Sequence, residues 1–402
     1  MESVSASPAT SRESNRDRIV DALRRLGVAS RAELARATGL SRSTVSSIVA
    51  SLRRSGLIAD YDGAPRAGSR SGRPPELITL RRSAGAAVGI DLGKRHLAVA
   101  VADLAHTLLA ERRRELDDGH AADEALDAAV ELVGEVLAEA GVEREKALGV
   151  GMGVPGPIHQ PSGTVGSAAI LPGWAGVRVA EALARRIELP VWVENDANLG
   201  ALAELTWGAG RGCDHLAYLK LATGIGAGIV IGGRLYRGAG GTAGEIGHTA
   251  IEERGALCRC GNRGCLETLA GAPAIAALVA RALGEEVTPE AVLARAAEGD
   301  PVCARALADA GRVVGIAVAN LCNLTNPQRI VVGGTIGGAG EVLLSPLRDS
   351  VRLRAIGSAA ADVEIVPGEL GQRAELLGAV ALVLHQASPV QGARGYTAVR
   401  TA

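Results

Sequence analysis

His248, Cys258, Cys260 and Cys265 lie within 18 positions of one another, in the stretch GEIGHTAIEERGALCRCGNRGCLE (residues 244–267). One imidazole and three thiolates form a closed Cys3His donor set for a tetrahedral Zn2+. Gly255, Gly261 and Gly264 supply the backbone freedom a tight metal loop needs. Unrelated buried thiols beside a surface histidine are the alternative, but a C-x-C pair followed by GNRG and a third Cys favours the metal. Two carboxylates flank the loop: Glu245 three residues before the histidine and Glu267 two after the last cysteine. Whatever the metal loop holds in place, it holds near those acids. Glu194-Asn195-Asp196 forms a second candidate group, directly after a predicted strand. In α/β folds a carboxylate at a strand's C-terminal end points into a cleft. Asp196 there can accept a proton from a sugar hydroxyl during phosphoryl transfer. Asn195 can donate to and accept from sugar hydroxyls. N-capping the next helix is the structural alternative for Asp196.

These residues need a scaffold, and 402 residues suffice for two or three domains. The six cysteines do not form a secreted disulfide framework, and thiol ligands need a reducing compartment. The first 15 residues are polar and Ser-rich, so no signal peptide is expected. No apolar run approaches the roughly 18 residues of a membrane span. The expected location is the cytoplasm, with no membrane partner. Net charge is −1 but unevenly spread: residues 1–82 carry 15 Arg and 8 acids, the remainder 28 basic and 36 acidic residues. A basic end on an acidic body points to one module that meets a polyanion.

Residues 1–14 read as a disordered tail. Residues 15–82 read as a winged helix-turn-helix domain. Ile19, Val20, Leu23 and Leu26 have helical spacing within 16–27. A second helix is predicted over 32–38, with Ser30 and Glu33 in a capping-box pattern and Gly39 as breaker. A third starts at the N-cap Ser41, runs to about residue 55 and buries Val45, Ile48, Val49 and Leu52. Short strands at 57–60 and 77–80 flank a Gly/Pro/Arg-rich loop. The third helix presents Ser41, Arg42, Ser43, Thr44, Ser46 and Ser47 near its start, small polar residues suited to the major groove of double-stranded DNA. Arg66, Arg70 and Arg73 in the wing suit the minor groove. A small helical protein-interaction domain is the alternative.

From residue 84 the pattern is α/β. Strands are predicted at 87–91, 97–102, 107–112, 148–154 and 191–194, with helices at 122–140 and 179–186. The order then partly repeats: strands at 216–221, 228–231, 234–236, 329–333 and 363–366. Helices are predicted at 273–283, 289–297, 301–310, 313–323 and 375–386. Two copies of hairpin, strand and helices imply two similar lobes around a cleft. The small lobe is placed at 84–194, completed by the helix at 375–386; the large lobe with the metal loop at 195–370; and a loose tail at 387–402.

GVPGP, LPGW, VENDAN, TGIGAG, GEIGH and CxCGxxGC occur in one order between residue 84 and about 386. In that order they resemble the ROK family (repressor, open reading frame, kinase). With the head in front, the chain resembles ROK transcriptional regulators of the xylose- and N-acetylglucosamine-repressor type. The resemblance implies an actin-like ATPase (ribonuclease-H-like) fold, a structural zinc and a hexose-type site. Carried over, that site is Asn195, Asp196, Glu245, His248 and Glu267. His248 would bind zinc through one ring nitrogen and turn the other to a sugar hydroxyl.

One loop departs from the family's kinases. Where they have DxGGTK, this chain has Asp91-Leu92-Gly93-Lys94-Arg95-His96. A side chain at the second Gly position blocks close backbone approach by phosphate, and a positive φ there would be strained. The added positive charge still attracts phosphate, but accurate cradling matters more for phosphoryl transfer. The other nucleotide-type features remain: Asp91, Gly93, Thr223, Gly224, Gly226, Gly333 and Gly334. Ile170 stands where sugar kinases of the family usually have an Asn.

The expected function is a sugar-responsive DNA-binding regulator, by family likeness a repressor. Its effector is a sugar or sugar phosphate, its other partner operator DNA, and its assembly a homodimer or tetramer. Zn2+ is the expected cofactor. The alternative is an active ATP-dependent hexose kinase that also binds DNA, with ATP/Mg2+ as cofactor and Asp196 as catalytic residue. A third reading is a DNA-binding protein regulated by a partner docking on the body, its cleft vestigial.

Overall fold

A computed structural model describes residues 15–386, apart from 17, 21, 24–25, 27, 62–75, 82–84, 118, 157, 160–162, 166–171 and 175. The expected tails at 1–14 and 387–402, the wing residues Arg66, Arg70 and Arg73, and Ile170 lie outside the described residues.

The head is built by its caps. Residues within 15–26 are helical. They bury Ile19, Val20 and Leu23 but leave Leu26 exposed, so the apolar face ends one turn earlier than its spacing predicts. Helix α1 (Arg31–Thr38) opens on the predicted capping box: Ser30 Oγ accepts from Glu33 N, and Ser30 N donates to Glu33 Oε2 at 2.7 Å. Gly39 closes it with φ 66°, the left-handed region that favours glycine. Helix α2 (Arg42–Arg54) is capped by Ser41, whose hydroxyl accepts from Thr44 N at 3.1 Å, and it buries Val45, Ile48, Val49 and Leu52. Two strands of the expected wing, β2 (Ile58–Asp60) and β3 (Leu77–Leu80), pair antiparallel. A third, β1 (Val28–Ser30), was not predicted; it pairs with the other side of β3.

The body contains two five-stranded sheets of one topology. Strands β4 (Ala86–Leu92), β5 (His96–Asp103), β6 (Leu108–Glu115), β7 (Ala147–Val154) and β10 (Val191–Asn195) lie in the order β10-β7-β4-β5-β6. A short pair, β8 (Ile158–His159) and β9 (Thr164–Val165), interrupts the chain between β7 and β10. Strands β11 (Leu216–Leu221), β12 (Ile225–Ile231), β13 (Arg234–Tyr236), β14 (Arg329–Gly333) and β15 (Glu364–Pro367) lie in the order β13-β12-β11-β14-β15. Each sheet is an antiparallel meander of three strands extended by two parallel ones. This is the repeat that the sequence pattern implied.

Helices α3 (Ala122–Glu139) and α4 (Val179–Ile187) cover the outer face of the first sheet. Helices α6 (Leu266–Ala270), α7 (Ala272–Leu283), α8 (Pro289–Ala297), α9 (Pro301–Thr325), α10 (Gly334–Gly337), α11 (Glu341–Arg354) and α12 (Gly357–Asp362) cover the second. Between the sheets lie α5 (Asp196–Thr206) and α13 (Ala374–Gln386). Glycine permits this central packing. A Cβ on Gly89 would stand 2.7 Å from Val380 N, and one on Gly151 would collide with the Ala379 carbonyl. On the opposite side of α13, a Cβ on Gly378 would reach within 2.7 Å of Leu199 Cα.

Two predicted helices, 301–310 and 313–323, are one: α9 runs unbroken through Gly311. That glycine does not end the helix; a Cβ there would collide with the Leu343 carbonyl of α11. Its lack of a side chain serves helix-to-helix contact, at about 1 kcal/mol of helix propensity. Helix α11 itself was not predicted, because Pro346 interrupts its apolar pattern from within.

Replacing Gly151 by valine should unfold the small-lobe packing against α13. The expected loss is about 3 kcal/mol, from overpacking a closed contact, read as a lower midpoint in chemical denaturation. An unchanged midpoint would contradict the contact.

Candidate functional site

The metal cluster is assembled by a loop folded on itself. Cys258 N donates to Asn262 O at 2.7 Å, Gly264 N to Ala256 O at 2.9 Å, and Cys265 bridges to Ala250. Gly264 has φ 61°, and its missing Cβ makes room for the Glu252 carbonyl. The four donor atoms of His248, Cys258, Cys260 and Cys265 all lie within 4.8 Å of one another. Cys258 Sγ is 3.6 Å from His248 Nδ1, and Cys260 Sγ is 3.7 Å from Cys265 Sγ. A tetrahedral Zn2+ with Zn–S bonds of ~2.3 Å requires S···S edges of about 3.8 Å. The donors therefore fit that ion. Burial pushes the Cys265 thiol up to about 12 when no metal is bound. His248 turns its Nε2 the other way, to 3.8 Å from Glu245 Oε2. One ring nitrogen thus faces the thiols and the other faces the cleft.

Asp196 enters the cleft because of its place on α5. Asn195, not Asp196, is the N-cap: its Oδ1 accepts from Ala197 N (2.9 Å) and Asn198 N (3.2 Å). Asn195 Nδ2 donates to Gly156 O at 3.0 Å. Its amide is therefore largely committed to the fold, which narrows the two-way sugar contact expected of it. Asp196 is the first residue of α5, where the helix dipole favours its charge. Its Oδ1 accepts from Ala197 N at 2.8 Å and its Oδ2 from Lys220 Nζ at 2.9 Å.

Three carboxylates converge. Burial raises the Glu245 carboxyl above its ordinary range, and the nearby charges of Asp196 and Glu267 raise it further. Arg259 opposes that shift. Glu267 accepts from Arg259 at 2.7 Å and from Ile225 N at 3.1 Å. The structure thus gathers Asp196, Glu245, His248 and Glu267 on one side of the cleft. Such a set of acceptors, with an arginine and an imidazole beside them, suits a polyhydroxylated ligand.

The glycine motifs are used for packing. A Cβ on Gly228 would stand 2.6 Å from Ala201 Cβ, and one on Gly226 would stand 3.2 Å from Ala197 Cβ. Both glycines let α5 lie directly on β12. A Cβ on Gly224 would meet Glu267 Oε2 at 2.7 Å, so that glycine seats the Glu267 carboxylate. Gly334 has φ 77°, and a Cβ there would stand 2.5 Å from the Leu221 carbonyl oxygen. Thr223 lies beside Gly224, in the loop between β11 and β12.

At the first phosphate-type loop, Gly93 N donates to His96 O at 2.9 Å, closing a tight turn over the exposed Lys94 and Arg95. Lys94 is not among the described residues with positive φ, so the expected strain is absent; the loop is obstructed instead. The His96 ring covers Gly93, where an added Cβ would lie 2.9 Å from Nε2. The same Nε2 is 2.9 Å from Asp91 Oδ2. His120, on which the sequence reading was silent, joins this loop to Trp174 of the LPGW motif. Its Nε2 is 3.2 Å from Gly93 O, and its Nδ1 accepts from Trp174 Nε1 at 3.4 Å.

The sequence reading also missed Lys220, Glu375, Arg259 and Arg237, which pairs with the buried Glu194 at 2.6 Å. Lys220 had one signal. It is one of three lysines in a chain with 40 arginines, and it sits alone in the apolar strand LAYLKL.

In the head, Ser41, Arg42, Ser43, Ser46 and Ser47 are exposed and Thr44 half-buried, all toward the start of α2. Arg53 at its far end pairs with Asp60 and with Glu76 (2.6 Å), tying α2 to the wing strands.

The sequence profile of the ROK family matches residues 87–386, and a winged helix-turn-helix DNA-binding profile matches 14–59. The chain belongs to the ROK family. It is 31% identical to a xylose repressor of Caldicellulosiruptor bescii over 89% of this chain and 92% of the relative. It is 34% identical to a glucokinase of Thermotoga maritima, over 74% of this chain and 96% of that enzyme. A crystal structure of a ROK family transcriptional regulator, described as a homologue of the Escherichia coli MLC protein, superposes with TM-score 0.78. It covers 94% of this chain and 96% of that one, at 26% identity. The fold is thus a winged head on a body shared with ROK sugar kinases.

Glu245 carries a stability penalty. A carboxyl whose pKa is raised by folding favours the fold below its ordinary value and weakens it as pH rises through the folded value. Glu245→Gln should therefore raise the melting temperature at pH 7 by a few degrees, and the gain should vanish near pH 4. A lower melting temperature at pH 7 would contradict the crowding of these acids.

Proposed function

We propose that this ROK protein is a sugar-responsive repressor: a sugar bound at Asp196, Glu245, His248 and Glu267 closes the cleft and weakens operator binding by the heads. The observation that carries the reading is a DNA-type head joined to a sugar-kinase body whose phosphate loop is filled from within. His96 covers Gly93 and bonds Asp91, so a nucleotide phosphate meets an imidazole where it needs bare backbone. Similarity to a xylose repressor along nearly the whole chain supports the same reading.

Zn2+ is the metal best suited to the four-donor cluster. It would be held by His248 Nδ1 and the thiolates of Cys258, Cys260 and Cys265, and would brace the Glu245 and Glu267 side of the cleft. The start of α2 would enter the major groove, with Arg42 reaching a phosphate or a guanine edge. Arg66, Arg70 and Arg73 would serve the minor groove. In a homodimer or tetramer, two heads meet two half-sites of a palindromic operator, and closure of each body changes their spacing. The ligand lowers DNA affinity only as far as it prefers the DNA-incompetent state. One apolar cluster offers a route for that change. It contains head residues such as Leu34, Val45 and Leu52 together with Leu376, Val380 and Val383 of α13.

Operator binding followed by fluorescence anisotropy, across monosaccharides and their phosphates, tests this. At least one ligand should release the wild type. Asp196→Ala should hold DNA equally well and fail to respond, and normal release by that variant would refute the site. Arg42→Ala should weaken operator binding about tenfold, or about 1.4 kcal/mol, within the range for a base-contacting arginine; unchanged affinity would refute the proposed DNA face. Elemental analysis should find one zinc per chain, lost in Cys260→Ser. Correctly folded, metal-free wild type would refute the metal.

A further inference from the structure

Lys220 stands where the two lobes meet. Its Nζ is 2.9 Å from Asp196 Oδ2, at the start of α5, and 3.0 Å from Glu375 Oε1, in the first turn of α13. Its register partners on both neighbouring strands are glycines, Gly226 on β12 and Gly333 on β14. A Cβ on Gly226 would stand 3.2 Å from Ala197 Cβ and one on Gly333 would collide with the Tyr218 ring, so both glycines make room for the groups packed beside Lys220. The lysine side chain is one-fifth exposed.

The surrounding donors are all carboxylate oxygens, the set that hard divalent cations take. Burial alone would depress the Lys220 ammonium, but Asp196, then Glu375 and Asp91, outweigh it and hold the group charged. Burial raises the Glu375 carboxyl; Lys220 opposes this, while Asp91 and Asp196 add to it. The three acids thus need a positive charge among them, and the chain supplies its own.

We propose that Lys220 is a resident cation, its ammonium holding the place at which a divalent metal would otherwise bridge the cleft's carboxylates. Phosphoryl transfer needs a metal to hold the phosphates and a free carboxylate to take the acceptor proton. With Lys220 in place, both Asp196 oxygens are engaged and no metal enters. Asp196 remains an acceptor for a ligand hydroxyl, with both of its oxygens already bonded within the protein. Lys220 thus offsets part of the cleft's negative charge without metal or nucleotide. This deepens the receptor reading, yet its test uses neither sugar nor operator, so either can fail alone.

The test is Mn2+ binding to the full chain, with the His/Cys cluster loaded, by electron paramagnetic resonance and calorimetry. Wild type and Lys220→Arg should bind no Mn2+ in the cleft at millimolar concentration. Lys220→Ala should gain one site, at least tenfold tighter than any in wild type, and Lys220→Ala with Asp196→Asn should lose it. If thermal melting shows that the alanine variant is unfolded, Lys220→Gln is read the same way. A folded variant that gains no site overturns the proposal, as does wild type binding Mn2+ as tightly as the variant.

Discussion

Helix α5 lies against strand β12 with only alanine methyls between the backbones, and the rest of the cleft depends on that contact. Gly228 faces Ala197 and Ala201 at distances that leave no room for a Cβ, and Gly226 faces Ala197 with little to spare. On its other side α5 meets α13 through Gly378, and α13 meets the first sheet through Gly89 and Gly151. Two sheets and two helices are thus stacked at backbone distance. In such packing a side chain at one interface would displace the whole layer. The start of α5, and with it Asp196, is therefore placed by backbone contacts rather than by a flexible loop.

The same stack joins the polar groups of the two lobes. Lys220 of the second sheet reaches Asp196 on α5 and Glu375 on α13. At the other end of α5, the buried Glu204 carboxylate accepts from Leu370 N (3.1 Å) and Ala209 N (2.7 Å), holding the approach to α13. Glu194, also buried, pairs with Arg237 from beyond β13. Charges inside a protein persist when paired and hydrogen-bonded. Here the pairs cross between elements whose relative position would change on closure, which suits a body that responds to a ligand.

Capping and periodicity made the head legible: Ser30 with Glu33, Gly39 and Ser41 each lie where the sequence places them. The metal cluster was legible because four donors lie close in the chain, where local spacing predicts spatial proximity. The repeated lobes were legible as an order of strands, and the structure gives both the same topology. Other features depended on distant packing. Gly311 has the local character of a helix break, and only the neighbouring α11 shows why a glycine belongs inside a helix. TGIGAG resembles a phosphate loop, yet two of its glycines are there for α5. Lys220 and Glu375 are 155 positions apart, and no local pattern marks them as partners. The expected strain at Lys94 came from the family's glycine pattern, whereas the loop here is an ordinary tight turn closed by His96.

The central claim is that this cleft holds a carbohydrate without transferring phosphate to it. Calorimetric titration with glucose, N-acetylglucosamine, mannose and xylose, run beside a coupled ADP-release assay with ATP and Mg2+ on the same preparation, tests it most directly. Binding of at least one sugar without turnover is the predicted result. Turnover that disappears in Asp196→Asn would show an active kinase and contradict the account.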